Sequence, residues 1–329
     1  MLQVRELAQL SFRAGQMDTI DIPRGYSIAR LRFRLTGTLS RAAGASAGAG
    51  KDLTGAQLVK RLELRKNGRE VVKALDFESL MRFNQMRRGT LPEWALSAVW
   101  TGYAVKSATT FALSASLDNE MWDSIQPMDT LFDSSSRNNI VTLQLAIYWG
   151  ALSDLMTAAY NPSSGGVTAD VTPTLAISVE EYVDPDALPG EYAENREYSI
   201  RQVISATNPK QQIPINIGNW FRQFTVKAYA DDVQRNDIVN NIIIRSGSQV
   251  FINRAAEALR QENKMTAGLE TAIDGYYLVD FCKDGHLTRA LPTAPLSELI
   301  VELDVTKQGT VCVVEIFPTE IVRQLVSAG

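Results

Sequence analysis

The sequence predicts an all-β protein that consists of two similar domains in tandem. Short segments with an apolar residue at every second position alternate with loops rich in Gly, Ser, Asp and Asn, a pattern typical of a β-sandwich or barrel. Residues 58–88 return as a degenerate copy at 238–265, and each copy has the pattern of a strand, a tight turn, a strand and a helix. A repeat of this length indicates that a whole domain is duplicated.

The repeated stretch carries its own turn and helix signals. In the first copy, alternating leucines precede Asn67-Gly68, a pair that favours a tight hairpin turn, and Asp76 can cap a helix that runs to Arg88. In the second copy the corresponding turn is Ser246-Gly247, and Asn253 could cap the following helix. The helices are therefore predicted as insertions into β-domains.

The N-terminal segment 1–16 has apolar residues at Leu2, Leu7 and Leu10, which predicts a short amphipathic helix that forms an N-terminal arm. Two alternatives stay open for this arm. It could pack on its own domain, or it could dock on a neighbouring molecule or a membrane surface. From Met17 the apolar residues alternate with polar ones, so strands are predicted from there onward.

The later strands of the first half are predicted at 103–117, 140–149 and 174–183. The pattern of the second half matches that of the first: Ile213 matches Ile20, and Leu303 is aligned with Leu145. The difference in residue number between matched positions changes only where a loop intervenes. Insertions are tolerated at strand connections and not inside paired strands. The long loops of the first half are therefore assigned to 41–51, 118–139 and 161–172.

Residues 180–197 hold seven acidic side chains, one Arg and two prolines, and this composition predicts a solvated linker. The carboxylates lack the spacing of a known calcium loop, so a calcium site is not favoured. The predicted domains are an N-terminal arm over 1–16, a first β-domain over 17–183, an acidic linker over 184–198 and a second β-domain over 199–329.

The composition and motifs give no sign of an enzyme, a metal site or a cofactor site. The net charge is −4 and the pI about 5.3, so no global attraction to nucleic acid is expected. Cys282 and Cys312 are predicted to be buried free thiols, and the single histidine, His286, is predicted in an exposed turn. Chemistry that uses carboxylates alone, as in glycoside hydrolysis, stays open because it needs no such motif.

The strongest local charge is the basic end of the first predicted helix, at Arg82, Arg87 and Arg88. Two interpretations stay open. These residues could meet phosphates of lipid or nucleic acid, or they could complement the helix dipole, which favours cations at a helix C-terminus.

The chain resembles a known family in three features: two tandem β-domains, a strand-turn-strand unit with a helix inserted before the later strands, and a similar lead-in to each domain. The two lead-ins are Ile20-Asp21-Ile22-Pro23-Arg24-Gly25 and Ile213-Pro214-Ile215-Asn216-Ile217-Gly218. In these features it is similar to the double jelly-roll major capsid proteins of tailless icosahedral bacteriophages with an internal membrane, the tectivirus and corticovirus type. The resemblance implies two tandem eight-stranded jelly rolls, each with an inserted α-helix.

The same resemblance implies a structural role in the virion. The chain would be a major capsid protein, and its homotrimer would be the pseudo-hexagonal building block of an icosahedral shell. It would be made in the host bacterial cytoplasm, since Arg5 and Glu6 interrupt what would be the apolar core of a signal peptide. Its partners would be itself, neighbouring trimers, minor capsid or vertex proteins and an internal lipid membrane, with no sequence-specific nucleic acid.

By the same resemblance, five arginines become candidate inner-face or inter-subunit contacts, and the long loops become candidate outer or inter-subunit loops. The five are Arg5, Arg13, Arg82, Arg87 and Arg88. An alternative function is a jelly-roll carbohydrate- or receptor-binding protein, such as a spike or vertex component, because jelly rolls also serve as lectins.

Overall fold

The computed structural model describes two compact units within the chain. The described residues are 2–41, 51, 53–89, 93–94, 109–120, 130–134, 140–156, 167–183 and 191–325. The first unit contains the described residues up to Tyr192, and the second contains Ala193–Gln324.

The first unit has eight main strands and one α-helix. The strands are β1 (Leu2–Ser11), β2 (Met17–Asp21), β3 (Ser27–Arg41), β4 (Val59–Lys66), β5 (Glu70–Leu75), β7 (Thr109–Asp118), β9 (Leu143–Trp149) and β10 (Val167–Tyr182), and helix α1 (Phe77–Arg88) lies between β5 and β7. One sheet has the order β1-β10-β3-β7, and the other has the order β2-β9-β4-β5. Two short strands, β6 (Glu93–Trp94) and β8 (Phe132–Asp133), pair with β7 and β3.

The second unit repeats this arrangement. Its main strands are β12 (Ile200–Val203), β13 (Asn208–Ile215), β14 (Trp220–Ala230), β16 (Val239–Ser246), β17 (Gln249–Ala255), β18 (Tyr276–Asp280), β20 (Leu299–Val305) and β21 (Cys312–Leu325), and helix α2 (Ala256–Ala267) lies between β17 and β18. One sheet joins β12, β21, β14 and β18, and the other has the order β13-β20-β16-β17. Three further short strands are β11 (Glu191–Glu197), β15 (Val233–Gln234) and β19 (Leu291–Pro292).

In both units the first main strand pairs with the last and the second pairs with the seventh, which is the strand order of a jelly roll. The prediction of two eight-stranded jelly rolls, each with an inserted helix, is therefore confirmed. Each core lies between the two sheets, because alternate residues of every strand point inward. Leu31, Phe33 and Leu35 are at most 1% exposed in the first unit, and Ile242 and Ile244 are fully buried in the second.

The predicted N-terminal helix is wrong. Leu2–Ser11 is a β-strand that pairs antiparallel with β10, from Leu2 opposite Tyr182 to Ser11 opposite Thr174. It is the first strand of the first jelly roll and forms the edge of its sheet. A register shift between Glu6 and Ala8 interrupts the two-residue period, which is why the apolar residues took on a helical spacing.

The predicted solvated linker is also wrong over its described part. Residues 184–190 lie outside the described residues, but Glu191–Glu197 form strand β11, and Glu194 and Glu197 are each 2% exposed. Upstream, Glu180 and Glu181 belong to β10 and are buried as well. These four carboxylates therefore lie inside folded structure. The boundary of the first domain at 183 stays a prediction.

The strand ladders correct the alignment of the two halves. In the first unit, Leu145 lies opposite both Ile20 and Leu64. In the second unit, the residue opposite both Ile213 and Ile244 is Val301. Two independent ladders therefore show that Val301 is the equivalent of Leu145 in the second unit. The alignment of Leu145 with Leu303 was shifted by two residues. A shift of two keeps the inward face, which is why the sequence pattern did not reveal it.

Both helices predicted within the repeat are present, but the predicted cap residue is right only for the first. Asp76 caps α1, since its carboxylate accepts a hydrogen bond from the Ser79 backbone N–H at 2.7 Å. Helix α2 begins after Ala255, which provides no side-chain cap, while Asn253 accepts a hydrogen bond from the Asn241 side chain instead. At the first turn, Asn67 and Gly68 both have positive φ, as the hairpin prediction requires.

Candidate functional site

The buried side chain of Asn84 joins helix α1 to the edge of its sheet. Its Oδ1 accepts a hydrogen bond from the Ser116 backbone N–H at 2.7 Å, and its Nδ2 donates to the Ser116 carbonyl at 2.9 Å. The asparagine is fully buried. The Asn84 side-chain amide thus satisfies the backbone N–H and carbonyl of Ser116, which would otherwise be unpaired at the strand edge.

Helix α2 makes the same contact in the second jelly roll. The Leu278 backbone N–H donates to Asn263 Oδ1, and Asn263 Nδ2 donates to the Leu278 carbonyl, both at 2.8 Å. Sequence reasoning missed this pair of residues. The signal was present, because Asn84 and Asn263 align within the repeat and Asn is a poor helix former at an interior position.

Of the five predicted contact arginines, Arg88 is tied most firmly to its own jelly roll. One terminal nitrogen of Arg88 lies 2.9 and 2.8 Å from the two carboxylate oxygens of Asp118 on β7. The Asp118 side chain is 3% exposed, while that of Arg88 is 25% exposed. Arg88 therefore neutralises a buried carboxylate and still reaches the surface.

Arg82 lies in the middle of α1 and not at its end as predicted, whereas Arg87 lies in the last turn, and both are partly exposed. Arg82 donates to the Gln85 side chain at 2.7 Å, within the same helix. Gly89 ends the helix in a left-handed conformation with φ 77°, so Arg87 and Arg88 lie in the last turn. Cations at this place are stabilised by the helix dipole. The dipole interpretation and a contact role therefore both remain compatible with the geometry.

Arg5 and Arg13 lie on other elements and have different environments. Arg5 on β1 forms a bidentate ion pair with Glu181, with both hydrogen bonds at 3.0 Å, and the Glu181 side chain is 1% exposed. Arg13, in the turn after β1, pairs with Asp18 but keeps a side chain 53% exposed. The five arginines thus occupy one strand, one turn and one helix end of the first jelly roll.

A second set of charges surrounds Arg30 on β3, in the sheet β1-β10-β3-β7. Its guanidinium is 3.1 Å from Glu120 and 2.8 Å from Glu180, and Arg32 pairs with Glu180 as well. Burial lowers the pKa of Arg30, but the carboxylates of Asp118, Glu120 and Glu180 raise it, and the net direction is upward. These buried acids are therefore charge-paired, which is the role that burial demands of them.

The described residues contain no cluster of potential metal ligands. No group of three or more His, Cys, Asp or Glu among them could hold a metal ion. His286 is exposed beside a 3-10 turn, and Cys282 and Cys312 are buried free thiols, as expected. No helix in the described part of the chain is long and apolar enough to cross a membrane.

The predicted outer loops fall largely outside the described residues. This applies to 42–50, to 121–129 with 135–139, and to 161–166. Residues 167–172, predicted as loop, belong instead to β10.

Comparison with solved structures gives the fold. The chain is similar to the major capsid protein of Sulfolobus Turreted Icosahedral Virus, with a TM-score of 0.76, 16% identity and coverage of 98% of this chain and 97% of that one. It is also similar to the major capsid protein P2 of bacteriophage PM2, with a TM-score of 0.62, 11% identity and 98% coverage of both chains. The VP54 protein of PBCV-1 matches with a TM-score of 0.67, 13% identity and coverage of 100% and 97%.

These comparisons, with the strand order above, define the class of protein: a double jelly-roll protein of the viral capsid type. The particular family that the chain matches is the viral coat protein P2 C-terminal domain, over residues 196–317, which is the second jelly roll. No curated protein sequence matches the chain. The resemblance to double jelly-roll major capsid proteins is therefore confirmed at the level of the fold.

Proposed function

We propose that this chain is the major capsid protein of an icosahedral virus and that its homotrimer is the pseudo-hexagonal tile of the shell. The observation that carries the proposal is the duplication within one chain. Both jelly rolls have the same strand order, the same inserted helix and the same asparagine contact between helix and strand. Three such chains present six similar domains, so a threefold assembly acquires a nearly sixfold outline.

In this role the protein acts by binding and not by catalysis. Its partners are other copies of itself, neighbouring trimers, and minor capsid or vertex proteins, together with an internal lipid membrane where the virus has one.

Among the five candidate contact residues, Arg13 is the best suited to meet a neighbouring subunit or an inner surface, because its side chain is 53% exposed. Arg82 and Arg87 are partly exposed on helix α1. Arg5 and Arg88 hold buried carboxylates, so any contact they make would use the donors that these ion pairs leave available.

Light scattering after size-exclusion chromatography tests the assembly. We expect the purified protein to have three times the chain mass of 36.3 kDa. A stable monomer that binds glycans on an array would contradict the proposal and favour the carbohydrate- or receptor-binding alternative.

A further inference from the structure

The outer face of the sheet β1-β10-β3-β7 carries a groove of about 900 Å³. Two rows of paired residues cross the four strands and line it. The first row is Glu6, Ser178, Arg32 and Ser116, and the second is Gln9, Ala176, Arg34 and Ser114. Arg88 from helix α1 lies at the β7 end of the groove.

The floor of this groove suits an extended polypeptide. Serines and alanines flank the arginines of β3, so a main chain can approach the sheet without a clash. Four strands at a spacing of roughly 4.8 Å span about 14 Å, which is the length of about four residues of extended chain.

One buried group in the groove lacks a partner. The Ser116 hydroxyl makes no hydrogen bond with any of the described residues, although Ser116 is only 4% exposed. Its backbone groups are satisfied by Asn84, so the hydroxyl alone is left over. Buried polar atoms of native proteins are almost always hydrogen-bonded, so this hydroxyl can still donate to a water molecule or to a ligand atom.

The charge of the groove favours an anionic ligand. Among the described residues that line it are three arginines, Arg32, Arg34 and Arg88, and one carboxylate, Glu6, while the carboxylates that pair with Arg32 and Arg88 lie outside this lining. Arg32 contacts Glu180, and Arg88 contacts Asp118, through one terminal nitrogen each. A guanidinium has five N–H donors, so both arginines retain donors for a further acceptor.

We propose that this groove binds an extended acidic peptide segment of a partner protein. Carboxylates of the peptide accept hydrogen bonds from Arg32 and Arg88, and one peptide oxygen accepts from the Ser116 hydroxyl. The small residues Ala176 and Ser178 let the peptide backbone lie close to the sheet. The inference does not depend on the shell role, because it concerns a face of one jelly roll.

Fluorescence anisotropy with the full-length protein tests the proposal. The probe is a labelled eight-residue peptide of alternating Asp and Ala, and its matched control replaces every Asp by Asn. We expect saturable binding of the Asp peptide that weakens as salt is added, because salt screens exposed charges. The Asn peptide should bind at least tenfold more weakly.

Variants place the binding in the groove. Ala176 is exposed in the middle of the groove, so Ala176→Glu should lower the affinity for the Asp peptide at least tenfold through repulsion and bulk. Val171→Glu adds the same charge at an exposed position of the same strand outside the groove and should leave the affinity unchanged. Ser116→Ala should lower it by about fivefold, the usual cost of one hydrogen bond, without changing the melting temperature.

Three results would overturn the proposal. The first is equal binding of the Asp and Asn peptides, and the second is unchanged affinity in Ala176→Glu. The third is saturable binding of inorganic phosphate or of phosphatidylglycerol vesicles together with no binding of the Asp peptide, which would assign the groove to phosphate groups. A trimer of normal mass in the Ala176→Glu variant would show that failure here leaves the proposed function intact.

Discussion

Asn84 in the first jelly roll and Asn263 in the second form the same pair of hydrogen bonds with the sixth main strand of their units. In each case a helix amide replaces a neighbouring strand and satisfies one backbone N–H and one carbonyl. The duplication thus preserved a polar contact and not only a strand order. This contact determines where each inserted helix lies against its own sheet.

Replacing Asn84 should destabilise the first jelly roll more than the equivalent change destabilises the second. Asn84→Ala leaves a buried N–H and carbonyl of Ser116 without partners, which costs about 3 kcal/mol of unfolding free energy. Asn263→Ala should cost less, because its hydrogen bonds are only partly buried. Urea unfolding of the full-length variants measures both changes.

The control for this comparison is Gln85→Ala, which removes a partly exposed side chain from the same helix. We expect its unfolding free energy to change by less than about 0.5 kcal/mol, as is usual for surface substitutions. If Gln85→Ala and Asn84→Ala were equally destabilising, the amide contact would not be what holds the helix.

The two helix starts predict substitutions of opposite sign. Asp76→Ala removes the cap of α1 and should destabilise the protein by about 1 kcal/mol. Ala255 precedes α2 without a side-chain cap and is exposed, so Ala255→Ser should stabilise by up to about 1 kcal/mol. Thermal unfolding of both variants beside the wild type provides the comparison. A lower melting temperature for Ala255→Ser would count against the cap assignment.

The first strand predicts a strong effect of Arg5 on stability. Arg5→Met would leave the carboxylate of Glu181, 1% exposed, without its cation, and we expect a loss of about 2 kcal/mol because Arg5 is itself partly exposed. Adding Glu181→Gln should restore most of this loss. The matched control is Arg13→Met, which should cost less than about 1 kcal/mol, because the Arg13 side chain is 53% exposed and Asp18 keeps a hydrogen bond from the Trp149 indole N–H at 2.7 Å. No rescue by the double substitution would refute the assigned pair.

The carboxyl of Asp154 makes the stability of the fold depend on pH. Burial raises the pKa of its carboxyl, but the Ala151 backbone N–H and the Lys60 ammonium lower it, and the net direction is below the usual 3.8. The contribution to stability is therefore complete above pH 3.8 and is lost as the pH falls through the lower, folded-state value. The difference in melting temperature between wild type and Asp154→Asn should be constant from about pH 7 to 5 and shrink below about pH 4. An undiminished difference at about pH 3 would contradict the assignment.

Local patterns were sufficient to predict the elements with regular periods. The turn at Asn67-Gly68, the cap at Asp76 and the alternating strand around Phe33 each depend on neighbours in sequence, and each was predicted correctly. The duplication was visible for the same reason, since the strand-turn-strand-helix unit recurs in order.

The remaining features depend on partners far along the chain. The acidic segment looked solvated because the cation that pairs with Glu181 is Arg5, 176 residues away. Strand β1 looked helical because a register shift after Glu6 interrupts its period. The groove around Ser116 joins four strands from both ends of the first jelly roll, and no window of sequence contains them together.

Electron microscopy of the purified protein tests the central proposal most directly. The account predicts particles with threefold symmetry and six density lobes of similar size around the axis, one for each jelly roll. In the presence of the other virion components, these particles should tile closed shells in which this chain is the most abundant protein. Isolated two-lobed particles at every concentration, absent from any shell, would contradict it.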